Sequence, residues 1–401
     1  MNSSDTAYKN LSLPLVVSVT TLVQALASMI VIIPAALAPE LARAHGVAAS
    51  LIGFQVSFAY IGAMTTSVLG GVIVRRYGAV RCSQLALIFA ATGCGLTAVP
   101  TLGAVAIGAV FIGFGYGLTN PAAAHMLMKV TAPANRNLIF SIKQTGVPFG
   151  GVVAGLLAPT IAVSFGWQSA LLAGAIVTGL IALLIQLVRK AWDTDRDSTV
   201  PLTASPFADV RMVWAHKSLR WVSLGSFSFS AMQVSLTTFA VTMLVSDIGY
   251  SLVQAGVLLA VLQVAGVTGR VTWGWVADRI KDGNRVLQGI TVITIIGAVL
   301  TGLLDPDVPD AWVYAVMAIF GFTAIGWNGV FMAEIARLAP SSLISSATGA
   351  ALFVTYSGVV LGPAAFTGIY GIVGTYTASF GIFSLVALAG LVCVFLARLK
   401  R

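Results

Sequence analysis

Charge is what this 401-residue chain has least of. Charged residues make up 9% of it, against 58% hydrophobic ones. A soluble protein of this length would have two or three domains, and so few charges could not cover their surface. The chain therefore reads as a polytopic membrane protein. Acids are scarcer than bases, with 13 Asp and Glu against 22 Lys and Arg, for a net charge of +9. Only Glu334 falls plausibly inside an apolar run; the other acids lie in loops or at the ends of runs. That argues against an enzyme built on paired carboxylates. There are three cysteines, Cys82, Cys94 and Cys393, all in or beside apolar segments. They offer neither a disulfide framework nor metal-ligand spacing, and read as small core residues. No Gly-x-x-x-x-Gly-Lys-Ser/Thr segment is present, so transport work must draw on gradients and not on ATP within this chain. No His/Asp cluster, Ser-His-Asp set or appended sensor domain is found, and no cofactor or metal is expected. The first apolar run is too long for a cleavable signal peptide.

What remains is apolar and periodic. A spanning helix needs about 20 apolar residues. Twelve candidates follow one another, at 14–38, 50–73, 82–99, 103–128, 137–163, 167–188, 218–245, 251–277, 286–304, 310–338, 344–372 and 375–397. Pro34, Pro121, Pro148 and Pro363 fall inside spans and predict bends there. The polar interruption at 189–217 divides the spans six and six. The expected organisation is an N-terminal tail at 1–13, a six-helix bundle at 14–188, a linker at 189–217 and a second six-helix bundle at 218–401. Nineteen of the Lys and Arg residues fall on one side, Arg43 alone on the other, and Lys143 and Arg270 inside spans. The positive-inside rule puts both termini and the linker in the cytoplasm. The same distribution explains the net charge and removes nucleic acid as a partner.

The halves repeat each other. The second span runs into Gly71-Val72-Ile73-Val74-Arg75-Arg76-Tyr77-Gly78, and the eighth into Gly274-Trp275-Val276-Ala277-Asp278-Arg279-Ile280-Lys281-Asp282-Gly283. Asn120 and Asn328 precede Pro133 and Pro340 at similar distances. With Gly274, Asp278, Arg279 and Gly283 in this pattern, the chain resembles the major facilitator superfamily over its whole length. One departure is Arg75, which stands where that family usually has the motif's Asp. The resemblance implies an all-α membrane fold of two pseudo-symmetric six-helix bundles around a central cavity, with alternating access. It also implies a substrate site near the midplane, a working monomer, and gate roles for Arg75, Arg76, Asp278 and Arg279.

Ionisable residues inside spans default to functional candidates. Arg270 shares a helical face with Gln263, Gly266 and Gly274, and a glycine stripe marks a protein-facing surface. Its guanidinium offers a planar fork to a carboxylate. The Arg-x-x-x-Gly spacing here also resembles that of monocarboxylate porters and an oxalate:formate antiporter, where this Arg binds the substrate. The alternative is an Arg that packs against the Asp278 network. Lys143 has Gly146 and Gly150 on its face, continued by Ala154 and Ala158, and either lines the cavity or snorkels to the interface. Glu334 is either a proton-titrating acid or the partner of Arg337 three residues on. His125 is either a proton carrier or a satisfied structural histidine. The polar candidates for substrate contact are Gln24 (with Ser28), Gln144, Gln233, Trp327, Asn328 and Tyr356. Gly146–Gly151 resembles the fifth-helix pattern of proton-coupled drug antiporters, but 111–117 lacks the Arg that family carries in its fourth helix.

Two interior cations against one acid favour a secondary transporter for small organic anions such as carboxylates, with proton symport as the coupling. Inward movement of an anion against a negative-inside potential costs ~2.3 kcal/mol per 100 mV, which a co-transported proton offsets. The alternatives are anion exchange and drug or metabolite efflux by proton antiport. The expected partners are the small-molecule substrate, a proton and the lipid bilayer of an inner membrane.

Overall fold

The computed structural model describes residues 12–131, 136–199, 214–338 and 344–399. Those residues form helices, which we number α1 Leu13–Ala36, α2 Ala38–His45, α3 Ile52–Tyr77, α4 Ala79–Thr97, α5 Leu102–Val130, α6 Arg136–Gln144, α7 Gly146–Phe165, α8 Trp167–Leu184, α9 Gln186–Trp192, α10 Lys217–Ser246, α11 Leu252–Ile280, α12 Gly283–Thr301, α13 Asp310–Ala324, α14 Asn328–Leu338, α15 Ile344–Val373 and α16 Tyr376–Leu399. Eleven spans are long and apolar enough to cross a membrane, or twelve when the bent pair Ala38–His45 and Ala49–Ser67 counts as one. This is a multi-pass, all-α membrane protein.

The helices start and stop on local chemistry. Thr101 caps α5 by accepting from the Ala104 amide, and Ser251 forms a reciprocal capping box with Gln254 at the start of α11. Pro148 sits in the first turn of α7, where a missing N–H leaves no broken bond. The fifth and tenth spans hold as single spans, Ile142–Phe165 and Asp310–Ile335, each with a local turn: at Thr145, between α6 and α7, where the backbone stays right-handed helical (φ −65°, ψ −19°), and at residues 325–327, between α13 and α14. Sequence periodicity does not register such turns, because the apolar run continues through them.

Contacts divide the chain into two compact units. Unit 1 is Met1–Pro34 with Phe58–Ala204, and unit 2 is Ala35–Ser57 with Ser205–Arg401. Unit 1 packs by backbone approach. Added Cβ atoms at Gly113 and Gly117 would strike the carbonyls of Ala59 and Ala63 on α3, and Thr66 and Ser67 donate hydroxyls to the Phe114 and Gly117 carbonyls on α5. Gly146 and Gly150 lie as closely against the Thr21 and Ala25 carbonyls of α1. This is the small-residue packing that membrane helices use where lipid offers no hydrophobic drive. Unit 2 relies more on aromatic rings. Phe239 stacks on Phe366 with centroids 4.5 Å apart, and Phe366 meets Phe380 and Phe383. In the same unit, Ser57 Oγ donates to the Val360 carbonyl at 2.6 Å.

Candidate functional site

Lys143 ends deep in unit 1. Its residue is 2% exposed, so the side chain does not snorkel. The Nζ donates to Gln24 Oε1 at 2.7 Å, to Asn120 Oδ1, and to Gln144 Oε1 at 3.3 Å. All three partners are neutral amides. Gln24 is fully buried, accepts a second bond from Thr119 Oγ1 at 3.1 Å, and donates to Ser28 Oγ at 3.4 Å. The cluster joins α1, α5 and the end of α6. Lys143 lies in the last turn of α6, from which the chain passes through a helical Thr145 into α7.

Unit 2 also places a cation beside a turn: Arg270 Nε donates to the carbonyl of Ile325, at the turn after α13, at 3.2 Å. Arg270 is half-buried. Just past the turn, Gln233 Oε1 accepts from Trp327 Nε1 at 2.9 Å and from Asn328 Nδ2 at 3.2 Å. Trp327 packs between Phe229 and Phe331. In each unit a long polar side chain thus lies beside a turn within a span, at Thr145 and at 325–327.

The other predicted residues fall in different places. Gln263 is buried on α11 and Tyr356 half-buried on α15. Gly266 packs against Ile325, as the stripe predicts, but Gly274 meets nothing; Gly269 takes its place, against the Phe322 carbonyl. Glu334 makes a two-pronged ion pair with Arg337, at 2.9 and 2.7 Å, and its carboxylate lies beside Gly283 at the start of α12. That is a fastening position at the basic end. His125 also sits at a basic end, with Nε2 2.8 Å from Asp195, which in turn meets Lys129. Asp278 and Arg279 are exposed, Arg279 lying over the Trp275 ring. Arg75 is exposed, and Arg76 is half-buried beside Tyr77.

Three features escape the sequence reading. Asn120 appears there only as an echo of Asn328, yet it binds Lys143. The Ile325 carbonyl leaves no trace in a sequence, although Gly326 marks the spot. Acids in the expected linker grip unit 1: Asp193 accepts the Val80 and Arg81 amides at 2.8 and 3.0 Å, and the Asp197 amide donates to the Arg75 carbonyl at 2.8 Å. Gly78, with φ +95°, clears room for the Asp193 carboxylate.

A family model described as Major Facilitator Superfamily matches residues 18–363. The chain belongs to the major facilitator superfamily. It is a transporter and not an enzyme. A hexuronate transporter of Bacillus subtilis (strain 168) is 24% identical over 348 residues, covering 83% of this chain and 82% of that one. A gentisate transporter of Corynebacterium glutamicum is 27% identical over 261 residues, covering 63% and 57%. A crystal structure of a peptide transporter in complex with sulfate shares the fold, with TM-score 0.77 at 13% identity, over 96% of this chain and 94% of that one. Lys143 and Arg270 each lie within an apolar span, Lys143 in unit 1 and Arg270 in unit 2.

Proposed function

We propose that this superfamily member carries small organic anions, carboxylates above all, by proton-coupled symport, with Lys143 and Arg270 as the groups that meet the anion. The observation that carries the reading is the Lys143 cluster: a buried ammonium whose three hydrogen-bond partners are all neutral. Amide dipoles offset only part of the desolvation of such a charge, and an anionic substrate supplies the rest. Hexuronate and gentisate, the substrates named for two relatives, are both carboxylates. The basic loops set both termini and the linker in the cytoplasm of a cell with this chain in its inner membrane. A monomer suffices for this mechanism. Glu334 and His125 are engaged in ion pairs at basic ends.

Uptake by purified protein in liposomes tests the reading. The panel is acetate, benzoate, gentisate, glucuronate and succinate, with tetraphenylphosphonium as the cationic contrast, each with and without an inward proton gradient. We expect carboxylate uptake stimulated by the gradient and lost in Lys143→Met and Arg270→Ala. Uptake driven only by a trapped counter-anion means exchange. Cation transport untouched by either substitution overturns the anion reading and favours efflux.

A further inference from the structure

We propose that Gln144 is a built-in competitor at Lys143, a neutral amide that the substrate carboxylate displaces as it binds. This deepens the organic-anion reading and rests on it. An ammonium has three N–H donors and no more. All three of Lys143 are engaged, by Gln24, Asn120 and Gln144. An arriving anion finds no vacant donor, so one amide has to leave.

The three amides are not equivalent. Gln24 is fully buried and held from two further sides, by Thr119 and Ser28. Asn120 is half-buried on α5, and its contact with Nζ is the shortest of the three. Gln144 is exposed, and its 3.3 Å contact is the longest. It is also the last residue of α6, next to the turn at Thr145. Of the three amides it is the one whose side chain can leave Nζ without opening the buried cluster. Exchange there trades a neutral acceptor for an ionised one, and charge-assisted hydrogen bonds are roughly twice as strong as neutral ones. Because a single N–H is exchangeable, Lys143 takes one carboxylate oxygen. It reads negative charge and leaves planar, two-pronged recognition to other groups.

The test is the dissociation constant for glucuronate and gentisate, measured by titration calorimetry on the full-length protein in nanodiscs. Gln144→Ala removes the competitor, and the expected gain in affinity is about 2- to 10-fold, the size of one neutral hydrogen bond. Gln144→Asn, too short to reach Nζ, should behave like the alanine variant. Gln144→Glu tethers a permanent carboxylate to Nζ and should weaken binding by more than about tenfold. Gln144 is exposed, so the three variants are expected to fold as the parent does. Weaker binding in Gln144→Ala, or constants equal to the parent's across the series, overturns the proposal. Lys143→Met separates the two levels. If it abolishes binding while the Gln144 series is flat, the anion reading stands and the competitor role falls. If it leaves binding intact, both fall.

Discussion

The basic ends of the two units are fastened in different ways. Unit 2 holds its own: Asp282 caps α12 by accepting from the Arg285 amide, and Glu334 on α14 sits at the same helix start with Arg337 across it. Unit 1 borrows. The start of α4 is capped by Asp193, and Lys129, nine residues after Asn120 as Arg337 is after Asn328, pairs with Asp195. The loop motif of unit 2 carries Asp278, where unit 1 has Arg75. An end without its motif acid is closed by acids from beyond its sixth span. Loss of a loop residue need not open an end when a neighbouring segment brings the same chemistry.

The largest test of that contrast is a pair of glycines. Gly78→Ala places a Cβ at φ +95° and against the Asp193 carboxylate, so strain and two lost cap bonds combine. We expect a loss of about 2–4 kcal/mol by thermal unfolding in detergent. Gly283→Ala meets the end of the Glu334 side chain at 3.1 Å and otherwise ordinary contacts with Val330 and the Glu334 Cβ, and should lose far less. Equal losses would erase the contrast. Next, Asp193→Ala should remove about 1–2 kcal/mol, the worth of a helix cap.

A smaller effect is set by pH. Partial burial pushes the Asp195 carboxyl up, but Lys129 and His125 outweigh it and hold the acid below its ordinary value. A depressed carboxylate contributes fully above the usual Asp range and loses its contribution as pH falls through the lowered value, below about pH 4. The protection factor of the Asp197 amide in deuterium exchange, bonded as it is to the Arg75 carbonyl, should fall there and become insensitive to acid in Asp195→Asn. Unchanged acid sensitivity in that variant would assign the effect to another group. The smallest effect belongs to Arg398→Gln, which removes an exposed pair with Asp282 at 3.9 Å and should shift stability by no more than about 0.5 kcal/mol.

How much of this was legible beforehand depended on the kind of signal. Apolar runs and loop charges report spans, because the bilayer imposes length and polarity on each segment separately. Lys143 and Arg270 stood out for the same reason: a charge in an apolar run has to be explained. Gln24 and Ser28 could be paired by helical spacing, and their bond is present. The turns at Thr145 and 325–327 could not be read, since the apolar run continues through both. The role of Asp193 was equally hidden. Its partners are amides more than 100 positions away, and amides carry no letter in a sequence.

The two interior cations also differ in when their partners are made. Gln24 and Asn120 precede Lys143 in the chain, so the fifth span emerges from the ribosome after both of these acceptors have been synthesised. Arg270 has the opposite order, because the Ile325 carbonyl lies 55 residues downstream. Placing an Arg mid-span costs roughly 2.5–3.5 kcal/mol at insertion. During synthesis the eighth span enters the bilayer before that carbonyl exists.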